Sequence, residues 1–314
     1  PIENISIDEC VELSKRLGKK IASQLSIPVF LYEHSAQFSD RKNLANIRSG
    51  EYEGMEAKIK EKKWKPDFGK SKLNKRSGVT AVGVRDFLIA YNVNLNTKDK
   101  KKATDIALDI REKGRAKRDL NGNIVRDKAG KIIKVPGKLK NVKAVGWYID
   151  EYKQAQVSIN LTNYKATPLY KVFEEVRKQA NKRGLRVTGS EIVGLIPKKA
   201  MLETGRFYLK KQKTAIGVPD KDTMDIAVKS LGLNDISEFD LSASVVEYAL
   251  SNKNFLINRD LKSFMDELSR NSATPGGGSV SAMSGALSAS LISMVIALST
   301  DRRLDKYATQ AQVL

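Results

Sequence analysis

The sequence predicts a mixed α/β (α+β) fold, with a ferredoxin-like β-α-β-β-α-β unit at its centre and helices on one face of the sheet. Three observations predict it. Strand-like stretches at Ala81 to Asn94, Val142 to Ile149, Gln154 to Leu161 and Arg186 to Ile196 are spaced by helical patterns at Lys98 to Lys113 and Thr167 to Lys182 in that order. A helix–strand–helix region without partner strands of its own precedes Gly78 and reads as the end of a similar subdomain. Only helical patterns follow Pro197, and those beyond residue 258 read as the start of an all-helical domain.

Each element has a local reason. Ser6-Ile7-Asp8-Glu9 has the form of a capping box, and the helix behind it carries Val11, Leu13, Leu17, Ile21 and Leu25. Ile27 to Tyr32 reads as a short buried strand, followed by helical turns near Asn43 to Arg48 and Gly54 to Lys63. The helix at Lys98 has an apolar stripe of Ala103, Ile106, Ala107 and Ile110. Asn121-Gly122-Asn123 and Ala129-Gly130-Lys131 mark a basic hairpin excursion. Leu169, Val172, Phe173, Val176 and Ala180 form one face of the next helix, and Gly184 closes it. Pro197 opens a helix over Lys198 to Gln212, and a further helix covers Asp220 to Leu231. The expected division is 1–77, 78–250, a linker at 251–257, and 258–314. The chain does not begin with Met and stops inside a helical pattern, so both ends read as cut.

Composition narrows the function. The chain has 314 residues, 41% of them hydrophobic, and a formal net charge of +20, which favours acidic ligands or surfaces. No RNP-like aromatic cluster, zinc-finger spacing or helix-turn-helix marks a sequence-specific nucleic-acid binder. The single cysteine, Cys10, excludes an internal disulfide, suits a reducing cytoplasm and reads as buried filler. There is no signal-peptide pattern, P-loop, GxGxxG fingerprint or nucleophile elbow, and no metal is expected. The sole histidine, His34, has no obvious partner near it in sequence. The uncharged run Val280 to Thr300 approaches the length of a membrane span. Ser281, Ser284, Ser288, Ser290 and Ser293 and the small residues Ala282, Gly285, Ala286 and Ala289 favour a helix buried in a bundle instead.

The candidate site is the loop Gly69-Lys70-Ser71-Lys72-Leu73-Asn74-Lys75-Arg76-Ser77-Gly78. Two glycines let backbone approach a ligand closely, four cations supply fixed charge, and Ser71, Asn74 and Ser77 supply neutral donors. This is the chemistry of a cradle for an anionic small molecule, and a solvated loop with no ligand is the competing reading. Glu191 interrupts an apolar strand and either meets a cation or ligand donor or faces water at a strand edge. Gly276-Gly277-Gly278 before a helix could form an anion nest or a linker.

Together these segments resemble the bifunctional formimidoyltransferase-cyclodeaminase family of histidine degradation. The resemblance is carried by Ile27-Pro28-Val29-Phe30-Leu31-Tyr32, Ile47-Arg48-Ser49-Gly50-Glu51-Tyr52-Glu53, Pro66-Asp67-Phe68-Gly69, Phe87 to Leu95, Gly146-Trp147-Tyr148, Ala155-Gln156-Val157-Ser158, Gly189 to Pro197 and Ala273 to Ser279. It implies two transferase subdomains clasping a folate, then a helical cyclodeaminase domain. It implies transfer of a formimidoyl group from N-formimidoyl-L-glutamate to tetrahydrofolate, mono- or polyglutamated, and closure to 5,10-methenyltetrahydrofolate with loss of ammonia. It also implies a cytoplasmic homo-oligomer with neither nucleic acid nor membrane as partner. The family's folate loop matches Gly69 to Gly78. The resemblance assigns no catalytic residue here: the family histidine sits in a His-Pro-Arg-Met-Gly motif that would precede Pro1, and the cyclodeaminase aspartate would follow Leu314. His34 inherits neither role, Tyr170 stands where relatives often carry histidine, and this stretch alone is expected to lack transferase turnover. The rival expectation is a basic RNA-binding module on the ferredoxin-like sheet, using Tyr91, Trp147 and Tyr148 as stacking residues.

Overall fold

The computed structural model describes residues 5–250, 260–270 and 275–298. It divides into two compact units, Pro1–Leu88 and Ile89–Leu314.

In the first unit, helix α1 (Ile7–Leu25) begins at the expected capping box: the Glu9 amide donates to the Ser6 hydroxyl, and Glu9 accepts from the Ser6 amide at 2.8 Å. Its packed face is not the leucine stripe. Ser14 and Gly18 are the buried positions, while Leu13 and Leu17 are about half exposed. Small residues let the helix settle onto Val29 and Phe68; a Cβ on Gly18 would lie 3.1 Å from the Phe68 ring. Strand β1 (Val29–Glu33) pairs in parallel with β2 (Thr80–Val84), so this region does have a partner strand. Short helices α2 (Leu44–Arg48) and α3 (Glu51–Lys58) close over Phe30, Ile47, Met55, Ile59 and Leu73. Lys58 is buried with them and donates to the Ile47 and Ser49 carbonyls, filling acceptors left open at the end of α2.

The single strand expected over Ala81 to Asn94 is therefore two strands. Its first half pairs with β1, and its second half is β3 (Ile89–Leu95) of the other unit. The run contains no proline or turn dipeptide, so local chemistry gives no mark of the break at residues 85–88. The chain divides there, later than the division expected at Gly78.

The second unit follows the predicted order. After β3 come α4 (Lys100–Ile110), a small ribbon of β4 (Arg115–Ala116) and β5 (Lys134–Val135), β6 (Val142–Ile149), β7 (Gln154–Leu161), α5 (Leu169–Asn181) and β8 (Val187–Val193). The sheet order β6-β7-β3-β8, with all pairs antiparallel, is the ferredoxin-like arrangement. Tyr91, Val93 and Leu95 of β3 and Val142 and Ala144 of β6 are buried, and α4 and α5 carry the apolar stripes that complete this core. Gly146 allows α4 to lie against β6, since a Cβ there would come 2.1 Å from the Thr104 amide nitrogen. Helices α6 (Lys198–Lys211) and α7 (Asp220–Leu231) pack on each other, and short turns α8 (Leu241–Ser244) and α9 (Val246–Ala249) follow.

The basic excursion is a ribbon with a period of eight residues. Arg118-Asp119-Leu120-Asn121-Gly122-Asn123-Ile124-Val125 and Arg126-Asp127-Lys128-Ala129-Gly130-Lys131-Ile132-Ile133 fold alike. In each turn the aspartate carboxylate accepts two backbone N–H bonds, and the arginine donates to the glycine carbonyl. Lys117, Val125 and Ile133 close a ring of backbone hydrogen bonds, each amide donating to another member's carbonyl.

Helices α10 (Leu261–Leu268) and α11 (Gly277–Leu298) follow. Asp260 caps α10 through the Ser263 amide. The expected burial of α11 is not met: Ala289 and Ile296 are its only buried residues, because no surrounding layer of helices exists among the described residues. The helix is long and apolar enough to cross a membrane. The expected linker at 251–257 lies outside the described residues.

Candidate functional site

The loop Gly69 to Gly78 is held from below. Asp67, just before it, has a side chain almost fully enclosed, accepting from the Leu31 amide at 2.8 Å and from the Arg41 guanidinium at 2.8 Å. Arg41 is equally buried, donates also to the Lys63 and Lys65 carbonyls, and lies over the Phe38 ring at 4.7 Å. This ion pair anchors the root of the loop to β1. Gly69 and Gly78 both adopt positive φ (90° and 66°), which explains glycine at each end. Within the loop, the Asn74 carboxamide oxygen accepts from the Arg76 and Ser77 amides, and its own amide group reaches the Ser26 carbonyl. Tyr52 donates to the Lys75 carbonyl at 2.7 Å.

The predicted site residues therefore divide by role. Leu73 is buried in the apolar core and pins the loop. Asn74 shapes the turn with its side chain. Lys70, Ser71, Lys72, Lys75, Arg76 and Ser77 are exposed, and among the described residues no ion pair engages any of the four cations. On one side the loop borders an open cleft of about 690 Å³, where Lys19 of α1 joins Lys70 and Lys72. The only carboxylate in that lining, Asp67, is already committed to Arg41. On the other side a hollow of about 330 Å³ is bounded by Arg48, Glu51, Tyr52, Ser77 and Gly78, so its charge is mixed. The open cleft suits an anion.

A second surface was not picked out from the sequence. On the sheet face opposite α4 and α5, register places Asn92 beside Ser158 and Glu191, and Asn94 beside Gln156, which in turn faces Trp147. Trp147 is 39% exposed there, with Val145 next along the same face of β6. The signal lay in the alternation of Asn92 with Asn94 and of Gln156 with Ser158, a period of two in polar residues rather than apolar ones. Glu191 meets neither a cation nor water alone: its carboxylate accepts from the Asn92 amide at 3.2 Å.

Other expectations resolve as follows. His34 sits 3.9 Å from Asp86, a partner distant in sequence. Cys10 is half-buried rather than fully enclosed. Tyr170 stacks on Phe207 with centroids 4.1 Å apart. The stacking trio of the RNA-binding alternative does not assemble: Tyr91 is fully buried on the helix side, Tyr148 points to that same side, and Trp147 stands on an edge strand. No acidic, histidine or cysteine group suited to a metal occurs among the described residues.

Comparison with known proteins decides the family. Residues 90–251 match the model of the formiminotransferase domain, residues 1–85 its N-terminal subdomain, and residues 260–313 the formiminotransferase-cyclodeaminase model. The chain belongs to the formiminotransferase family. It is 41% identical to the formimidoyltransferase-cyclodeaminase of Dictyostelium discoideum, over 94% of this chain and 52% of that protein. It is 39% identical to the Rattus norvegicus protein of the same name, over 96% of this chain and 53% of that protein. The glutamate formimidoyltransferase of Streptococcus pyogenes serotype M1 is 40% identical over 67% of this chain and 63% of its own length. The chain thus spans about half the length of the bifunctional relatives it matches. In this formiminotransferase-family chain, the cationic loop falls within the N-terminal-subdomain match, and the four-stranded sheet within the formiminotransferase-domain match.

Proposed function

We propose that this chain supplies folate-binding surfaces to an enzyme that moves a formimidoyl group from N-formimidoyl-L-glutamate to tetrahydrofolate. In that reaction a folate nitrogen forms a bond to the formimidoyl carbon, the bond from that carbon to the glutamate nitrogen breaks, and the proton lost by folate is balanced by the one glutamate gains. The observation that carries the proposal is the set of four cations, unpaired among the described residues, on a pinned loop beside an open cleft, in a chain whose relatives are named for this transfer. A folate ends in one or more glutamate carboxylates, and Lys70, Lys72, Lys75 and Arg76 offer charge to such a tail without first breaking an internal ion pair. The polar sheet face offers the partly exposed Ser158 hydroxyl, with an exposed indole for a flat ring.

The same reading extends to cyclodeamination to 5,10-methenyltetrahydrofolate, supported by the match over residues 260–313. Histidine degradation, a cytoplasmic setting and a homo-oligomeric assembly belong to it as well; the lone cysteine agrees with a reducing compartment. Neutralising Lys70, Lys72, Lys75 and Arg76 together, in an active enzyme containing this chain, is expected to raise KM for tetrahydrofolate. The rise should be larger for polyglutamated than for monoglutamated substrate, and to shrink at high salt. Equal rises for both substrates would remove the loop from tail binding.

A further inference from the structure

The hydrogen bonds on the open sheet face form one chain whose direction is fixed at both ends. Trp147 Nε1–H donates to Gln156 Oε1 at 3.0 Å, Gln156 Nε2 donates to Asn94 Oδ1 at 2.6 Å, and Asn94 Nδ2 donates to Asp235 Oδ2 at 2.9 Å. The Thr188 hydroxyl also donates to Asp235 Oδ2, at 3.1 Å. An indole N–H can only donate and an ionised carboxylate can only accept, so each amide between them has a single orientation that satisfies its neighbours. Gln156 and Asn94 are both fully buried, so turning either amide around would enclose two acceptors or two donors against each other. Trp147, at the far end, is exposed.

Local sequence is arranged to admit this chain. Asp235 lies just past the left-handed turn at Gly232 that ends α7. Strand β8 carries Gly189 opposite it; a Cβ there would stand 2.2 Å from Asp235 Cβ. The close approach of a carboxylate to the sheet therefore depends on that glycine.

We propose that Asp235 is a positioning residue which, through Asn94 and Gln156, holds the Trp147 indole in one orientation as the platform for a flat heteroaromatic ring of the substrate. This rests on the folate reading above. Tethering at Nε1 fixes the rotation of the indole about its side-chain bonds, so one ring face stays presented beside Val145, Ser158 and Asn92 on the polar side of the sheet.

Isosteric changes test the direction of the chain rather than its bulk, in an active enzyme containing this sequence. Gln156→Glu still accepts from Trp147 but forces Asn94 to turn its NH2 inward, leaving Asn94 Oδ1 against Asp235. Adding Asp235→Asn places an NH2 opposite that oxygen and restores a donor to every acceptor. Q156E is expected to raise KM for tetrahydrofolate about tenfold or more and to shift Trp147 fluorescence, taken as the difference from a W147F sample. The Q156E/D235N pair is expected to recover most of both effects. W147A, at an exposed position, should raise KM with little change in Tm, and this holds even if Q156E fails to fold. A pair no better than Q156E, or a W147A enzyme with native KM, overturns the proposal. If W147A leaves KM unchanged while neutralising the cationic loop still raises it, the platform fails and the folate reading stands. If neither change moves KM for folate, both fail.

Discussion

Arg41 and Asp67 show how single residues hold the candidate loop. Two opposite charges with almost no solvent contact are secured only because Arg41 also meets two carbonyls and Asp67 also meets the Leu31 amide. Removing one partner leaves the other buried and uncompensated. Arg41→Leu is expected to destabilise the first unit by about 3–5 kcal/mol, read as a lower urea midpoint of the unfolding step. A second residue-level prediction concerns acid. Asp105 on α4 pairs with Arg115 and Arg183, and Asp109 pairs with both as well. Burial raises the Asp105 carboxyl, but hydrogen bonds and charge from Arg183 and Arg115 outweigh it and hold the group below the usual carboxylate range. The unfolded chain then binds more protons than the folded one as pH falls. The stabilisation is present above about pH 4, near the free aspartate value, and is lost as pH drops through the folded pKa. The difference in urea midpoint between the unaltered chain and D105N should therefore shrink as pH is taken from 6 to 3; a constant difference would show that the pair is not the source. At this scale the four loop cations were legible in the sequence because their chemistry is local. The burial of Leu73 and the pairing of Asn94 with Gln156 were not, because each depends on side chains distant in the chain.

Elements with their own punctuation were readable from sequence. Helix α7 came out at its expected bounds, and α5, α6 and β8 within a few residues, because Gly184, Pro197 and Gly232 mark their ends. The boundary between β2 and β3 was not readable, since nothing in the composition of that run says which half joins which sheet. Helix α1 misled for a related reason. Its leucines have helical spacing, but contact with Val29 and Phe68 requires the small residues, so Ser14 and Gly18 face inward. Gly146 is the corresponding small residue in the second unit. Gly146→Ala must displace α4 from β6 and is expected to cost about 1–3 kcal/mol, read as a lower Tm. Gly54→Ala, where a Cβ would have nothing within 4 Å, is the matching control and should leave Tm unchanged or raised.

At the scale of the whole molecule, the ferredoxin-like unit was legible because four strands and two helices in a fixed order admit few arrangements. The polar face of its sheet could not be assigned from order alone, since register decides which amides share a side. The exposed face of α11 belongs to this scale too: Leu287, Leu291, Ile292 and Val295 are all more than half exposed. Replacing those four with Gln or Lys is expected to reduce self-association of this 314-residue chain in dilute buffer, seen as a smaller light-scattering mass, with the circular dichroism of the α/β units unchanged.

The eight-residue ribbon carries a consequence for how such a chain can vary. Because Lys117, Val125 and Ile133 close one three-membered ring at the base, and each intervening turn caps itself, the base is fixed while the turn tips are free to change. The tips at Gly122 and Gly130, with open space around them, are accordingly places where a foreign peptide could be spliced as an affinity handle, leaving the sheet that bears Trp147 untouched.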